Sequence, residues 1–137
     1  MLHPALLDAL LDDEIVVINE RLSSRGVTAC RNGRSVEIRS ATIGAERILR
    51  LDAERYDGDP VGVFVASATD GHLLPGSEWP TGLYQGEHPT LQRPFVCVRG
   101  TIDYHAHPSH VDDVWDRYRG RIRLVDITDH LLKRMSP

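Results

Sequence analysis

The sequence predicts a single α+β domain over residues 1–137, with an N-terminal helix, an antiparallel β-meander and C-terminal helices. Three observations predict it. The chain opens with leucines at helical spacing, continues through short β-branched runs separated by turn residues, and returns to helical spacing beyond residue 110. At 137 residues it has the length of one domain that can bury its own core.

The elements follow in order. "HPALLDALLDD" places Leu2, Leu6, Leu7, Leu10 and Leu11 on one face with Pro4 near the start, which predicts a helix over 3–12. "EIVVINERL" and "VTACRNGRSVEIRS" are rich in β-branched residues and read as strands, with Asn32-Gly33 as the hairpin turn. "ERILRLDAER" alternates imperfectly, "YDGDP" (56–60) is a turn, and "VGVFVAS" is a buried strand, giving four or five strands in all. Residues 69–94 carry four prolines and four glycines, the composition of a long functional or flexible loop. "FVCVRGTI" reads as a short strand leaving that loop. "HVDDVWDRYRG" places Val111, Val114, Trp115 and Tyr118 on one helical face, with Ser109 and Asp112 as a capping box and Gly120 as the stop. "DITDHLLKRM" is the last helix, capped by Asp126 or Thr128, with Lys133 and Arg134 where the helix dipole favours cations.

Composition narrows the function. Hydrophobic residues at 41% and charged residues at 26% are ordinary for a globular protein. A net charge of -4 argues against a nucleic-acid or membrane-surface partner. No apolar run approaches the roughly 20 residues of a membrane span. The N-terminus lacks the basic region of a signal peptide, so a cytoplasmic location is expected, where Cys30 and Cys97 stay reduced. Cys30, in a strand, reads as a small buried hydrophobe. Trp79 and Trp115 read as packing anchors, and "DRYRGRIR" as a solvated helix edge.

The densest chemistry lies in "CVRGTIDYHAHPSH", residues 97–110, which combines one cysteine, one aspartate and three histidines. In an extended run His105 and His107 share a face, and Asp103 shares their parity. A turn brings His110 to His107, and "RGT" can fold Cys97 back. Thiolate, imidazole and carboxylate together suit a tetrahedral Zn²⁺ shell. The candidate ligands are Cys97, His105 and His107, with His110 or Asp103 as the fourth. Asp103 can instead orient a ligating imidazole. A third chemistry, metal-assisted hydrolysis with Glu87 or Asp103 as general base, has no supporting substrate motif.

The run "RPFVCVRGTIDYHAHPSHVDDVWDRYRG" resembles the metal-binding domain family named for its cysteine, glutamate and two histidines. That family occurs in bacterial gene neighbourhoods encoding a ubiquitin-like protein, an E1-like activating enzyme, an E2-like enzyme and a JAB-type peptidase. The resemblance implies a metal role for Cys97, for Asp103 where the family has glutamate, and for His105 with His107 or His110. It covers about 28 residues. "HPTLQRPFVC" is similar to a second family, the ubiquitin-conjugating (E2) enzymes, whose His-Pro-Asn precedes the acceptor cysteine by a like interval. Here His88-Pro89 precedes Cys97, and Thr90 stands in place of the asparagine. That resemblance implies a helix–meander–helices order and a thioester on Cys97 with a ubiquitin-like modifier. The two readings compete for one sulfur: the leading expectation is a zinc-binding protein of a bacterial ubiquitin-like conjugation pathway, and the alternative is the E2-like carrier.

Overall fold

The computed structural model describes residues 2–135. It has an N-terminal helix, a four-stranded antiparallel sheet and a C-terminal helix. Helix α1 spans Pro4–Leu22; strands β1 (Thr28–Asn32), β2 (Ser35–Arg39), β3 (Arg47–Asp52) and β4 (Gly62–Ser67) follow in sheet order. A single turn, α2 (Ile102–His105), and the helix α3 (Leu124–Met135) complete the regular elements. No helix among the described residues is long and apolar enough to cross a membrane.

Helix α1 is longer than the 3–12 expected, because "EIVVINERL" continues it instead of forming a strand. Its buried residues Leu7, Leu11, Glu14, Ile18 and Leu22 recur every three or four positions along one face. Packing against the sheet and α3 overrides the β preference of Ile15, Val16 and Val17, and no Gly or Pro interrupts the run.

The sheet buries one face. Val36, Leu51 and Val63 form one cross-strand row; Ile38, Leu49 and Val65 form the next, and all six are buried. Side chains alternate across the sheet, so the neighbouring row of Cys30, Glu37, Arg50 and Phe64 faces the other way. Cys30 is therefore exposed, correcting the expectation that it is buried. The β1–β2 hairpin closes through Gly33-Arg34, one residue beyond the expected Asn-Gly pair. Asn32 pairs Ser35, and Gly33 at φ 61° meets the positive-φ demand of a two-residue loop.

The open edge of β1 is closed by α1. Asn19 Oδ1 accepts the Ala29 N–H and its Nδ2 donates to the Ala29 carbonyl, each at 2.9 Å, so one side-chain amide replaces a neighbouring strand. Asn19→Ala is expected to cost about 1–2 kcal/mol by leaving both groups unpaired, read as a lowered urea midpoint with unchanged slope.

Glu14 joins α1 to α3. Its carboxylate accepts the Leu124 N–H at 2.8 Å and pairs with the Arg123 guanidinium, and burial pushes its pKa up. Asp126 Oδ2 accepts the Arg123 N–H at 2.8 Å, consistent with its expected capping role, although the helix starts at Leu124. Lys133 and Arg134 lie in the last turn as expected.

Two expected elements beyond residue 94 do not form. Residues 95–98 make no strand, because side chains occupy the outer edge of β4. "HVDDVWDRYRG" is not an α-helix but two 3₁₀ turns, Pro108–His110 and Trp115–Arg117, leaving Val111 and Val114 exposed. His107, not Ser109, caps the first turn. In place of the helix, the Asp113 carboxylate gathers Tyr104, Tyr118, Arg99 and Arg117. Trp79 and Trp115 are buried, as expected of packing anchors.

Candidate functional site

The candidate site lies on the loop segments that follow β4. Residues 85–95 double back as a narrow ladder. Gln85 N–H donates to Phe95 O at 3.0 Å, Phe95 N–H to Gly86 O at 3.1 Å, and His88 N–H to Arg93 O at 2.8 Å. The turn at its tip uses Gln92 at φ 56°. His88, 1% exposed, fills it. Nδ1 of His88 accepts from the Thr90 and Leu91 N–H groups at 3.1 and 3.0 Å, which assigns the proton to Nε2, 2.9 Å from the Asp103 carbonyl. The histidine of the His-Pro pair thus locks the loop and ties it to α2.

Asp103 is fully buried, and its contacts are structural. Its carboxylate accepts the Val63 N–H at 3.1 Å and two bonds from Arg93, at 2.7 and 3.2 Å. The same guanidinium donates to the Val63 carbonyl at 3.2 Å. Asp103 and Arg93 together pair both edge groups of Val63, as Asn19 pairs those of Ala29. Burial pushes the Asp103 carboxyl pKa up, against the opposing pull of Arg93.

His105 is also committed. Its Nδ1 lies 2.7 Å from the Asp113 carbonyl, and its Nε2 accepts the Gly100 N–H at 3.1 Å. Burial pushes its pKa down, so the ring is neutral in this bonding pattern. His107 accepts from the Ser109 N–H at 3.2 Å through Nδ1, which also lies 2.7 Å from Ser109 Oγ. Its ring packs on His88 and Phe95. His110 stacks on Tyr104 with ring centres 3.9 Å apart. Hydrogen bonds from Tyr104, then Tyr118 and Arg99, hold the Asp113 carboxyl far below the usual carboxylate range.

Cys97 follows the ladder and is half-buried. Its N–H donates to Gln85 Oε1 at 2.6 Å. Its thiol pKa is raised, first by burial and then by the Asp103 carboxylate, while Arg134 opposes the shift. Among the described residues no hydrogen bond uses its Sγ.

The five sequence-selected residues therefore share a region but not a coordination shell. Among the described residues, no group of three or more His, Cys, Asp or Glu side chains is arranged to hold a metal ion. Asp103 and His105 would each have to give up structural bonds to ligate one. His107 and His110 stand 5.8 Å apart, ring centre to ring centre, with no hydrogen bond at His107 Nε2 or at either His110 nitrogen among the described residues. Glu87, considered as a general base, is exposed and accepts the Tyr84 hydroxyl at 3.3 Å. Sequence reasoning missed Arg93, Asp113 and Gln85, whose roles depend on partners distant in the chain. The chain matches no protein-family model and no curated protein.

Proposed function

We propose that the chain is a ubiquitin-conjugating-like carrier in a bacterial ubiquitin-like conjugation pathway, accepting the modifier as a thioester on Cys97. The observation carrying this reading is the commitment pattern of the motif. Asp103, His105 and His88 are spent on structural bonds, whereas the Cys97 sulfur is half-exposed and unspent, directly after the turn that His88 locks. The order of helix, four-stranded meander, His-Pro turn, cysteine and helix supports the same resemblance. The partners implied are an E1-like enzyme and a ubiquitin-like protein. In the transfer, the Cys97 thiolate attacks the thioester carbonyl carbon of the charged E1. A new C–S bond forms, the old one breaks, and the E1 sulfur leaves as thiolate and takes up the proton Cys97 released. Gln85 positions the Cys97 backbone during the attack.

The test is incubation with a charged E1-like enzyme and its modifier from one bacterial system. A reductant-labile adduct is expected with wild type and is absent in Cys97→Ser. A Cys97→Ser adduct of equal yield would defeat the reading.

A second reading is zinc binding, favoured by the His107–His110 spacing, since two imidazoles on one tetrahedral ion place their ring centres about 5 Å apart. Zinc would then sit on His107 and His110 and would need Cys97 to be drawn in as a third ligand, since the three do not form a ready group, with Asp103 and His105 outside the shell. Elemental mass spectrometry of untagged protein separates the two. The carrier reading expects far less than one zinc per chain. Near-stoichiometric zinc, lost in both Cys97→Ala and His107→Ala, would establish the metal reading instead.

A further inference from the structure

The side chain hydrogen-bonded to Cys97 is that of Gln85, the first residue of the ladder. Its backbone N–H donates to the Phe95 carbonyl at 3.0 Å. Its exposed side chain reaches further along, where Oε1 accepts the Cys97 N–H at 2.6 Å. Only the amide oxygen can accept that hydrogen, so the bond assigns which end of the amide is which. Nε2 then carries two N–H donors, and among the described residues no hydrogen bond uses either of them.

The amide is planar, so Nε2 stays beside Oε1 and next to the backbone nitrogen that Oε1 holds. That nitrogen is bonded to the Cα from which the thiol arm of Cys97 extends. When a sulfur attacks a carbonyl, the carbonyl oxygen becomes an oxyanion, which a fixed N–H donor stabilises. The cysteine's own N–H is committed to Gln85. The Gln85 amide has donors to offer in its place. Accepting a hydrogen bond at oxygen polarises an amide and strengthens donation from its nitrogen.

We infer that Gln85 is a catalytic residue of acyl transfer to Cys97, its Nε2 donating to the oxyanion that forms on the thioester carbonyl. The inference rests on the carrier reading of Cys97. In the step, the Cys97 thiolate adds to the carbonyl carbon, and the C=O π pair moves to oxygen, where the Nε2 hydrogen meets it. The pair then returns, the old C–S bond breaks, and the donor sulfur leaves as thiolate. Gln85 keeps its protons throughout.

The experiment compares two reactions of one sulfur, in the full chain carrying Cys30→Ser so that Cys97 is its only thiol. One is acylation by a peptide ending in Gly-Gly, activated as the thioester of 2-mercaptoethanesulfonate, which passes through an oxyanion. The other is alkylation by iodoacetamide, a displacement at saturated carbon that forms none. Both initial rates are read by intact mass at one pH, so the thiolate fraction cancels in their ratio. Adding Gln85→Ala is expected to slow acylation about tenfold or more and alkylation by less than about twofold. Gln85→Glu keeps an acceptor for the Cys97 N–H but has no donor when ionised, and is expected to lower the ratio as far. The inference is overturned if either variant acylates as fast as the parent. It is also overturned if acylation and alkylation fall together, which would leave Gln85 a positioning residue only. In both cases dithiothreitol-labile loading of Cys97 still stands. If the parent gives no labile adduct that Cys97→Ser abolishes, the carrier reading fails and takes the inference with it.

Discussion

Replacing Asp103 by alanine is expected to destabilise the protein by about 3–5 kcal/mol, the range for removing one partner of a buried ion pair. The carboxylate is fully buried and bonds Arg93 twice, and Arg93 is itself largely buried. Its loss leaves a guanidinium without its counter-charge and the Val63 N–H without an acceptor, each in a low-dielectric setting. The edge of β4 then loses the device that replaces a fifth strand. Asp103→Asn keeps an oxygen for Val63 but not the charge, so a smaller loss is expected. Urea unfolding of protein treated with a chelator measures both. If Asp103 served mainly as a metal ligand, the chelator-treated variant and wild type would unfold at the same midpoint, and the structural assignment would be wrong. An equal loss in Arg93→Ala, without additivity in the double variant, would identify the two as one unit.

That assignment explains what the sequence could show and what it could not. Strands β2 and β4 were legible because their β-branched residues alternate, and β3, whose alternation is imperfect, because turns carrying Gly, Asp and Pro bound it. The length of α1 was not. "IVVI" has local β preference, and only its packing against the sheet and α3 makes it helical. The segment after His107 misled for the opposite reason. Val111, Val114, Trp115 and Tyr118 have good helical spacing, but the Asp113 carboxylate is bonded to Arg99 and Tyr104 from outside the segment and to Tyr118 within it, contacts that spacing alone does not show.

The candidate site was half legible. The sequence singled out Cys97, Asp103, His105, His107 and His110, which all lie on the segments that follow β4. It could not assign their roles. A carboxylate at a ligand-like spacing and a carboxylate closing a sheet edge look alike until the edge exists. The unpaired Val63 groups arise only from β4 pairing with β3 on one side. His88 shows the converse. The His-Pro pair was visible, and its structural work, two backbone donors on one ring nitrogen and one carbonyl on the other, required the folded ladder.

Loading or alkylation of Cys97 is expected to quicken about tenfold per pH unit from pH 7 to pH 9, because the thiolate is the reacting form. Burial is the first cause of the raised thiol pKa, so the sulfur is mostly protonated at neutral pH and its thiolate fraction climbs across this whole window. The other two causes have opposite signs and can be separated. Asp103→Asn removes a negative charge, which lowers the thiol pKa and moves the profile to lower pH. Arg134→Gln removes a positive charge and moves it higher. Alkylation by iodoacetamide reads both shifts without any modifier or E1. A rate already level at pH 7 would mean a thiolate stabilised by something other than these groups. If a chelator then accelerated the reaction, that stabilising group would be a bound metal, and the sulfur would belong to the zinc reading rather than to the carrier.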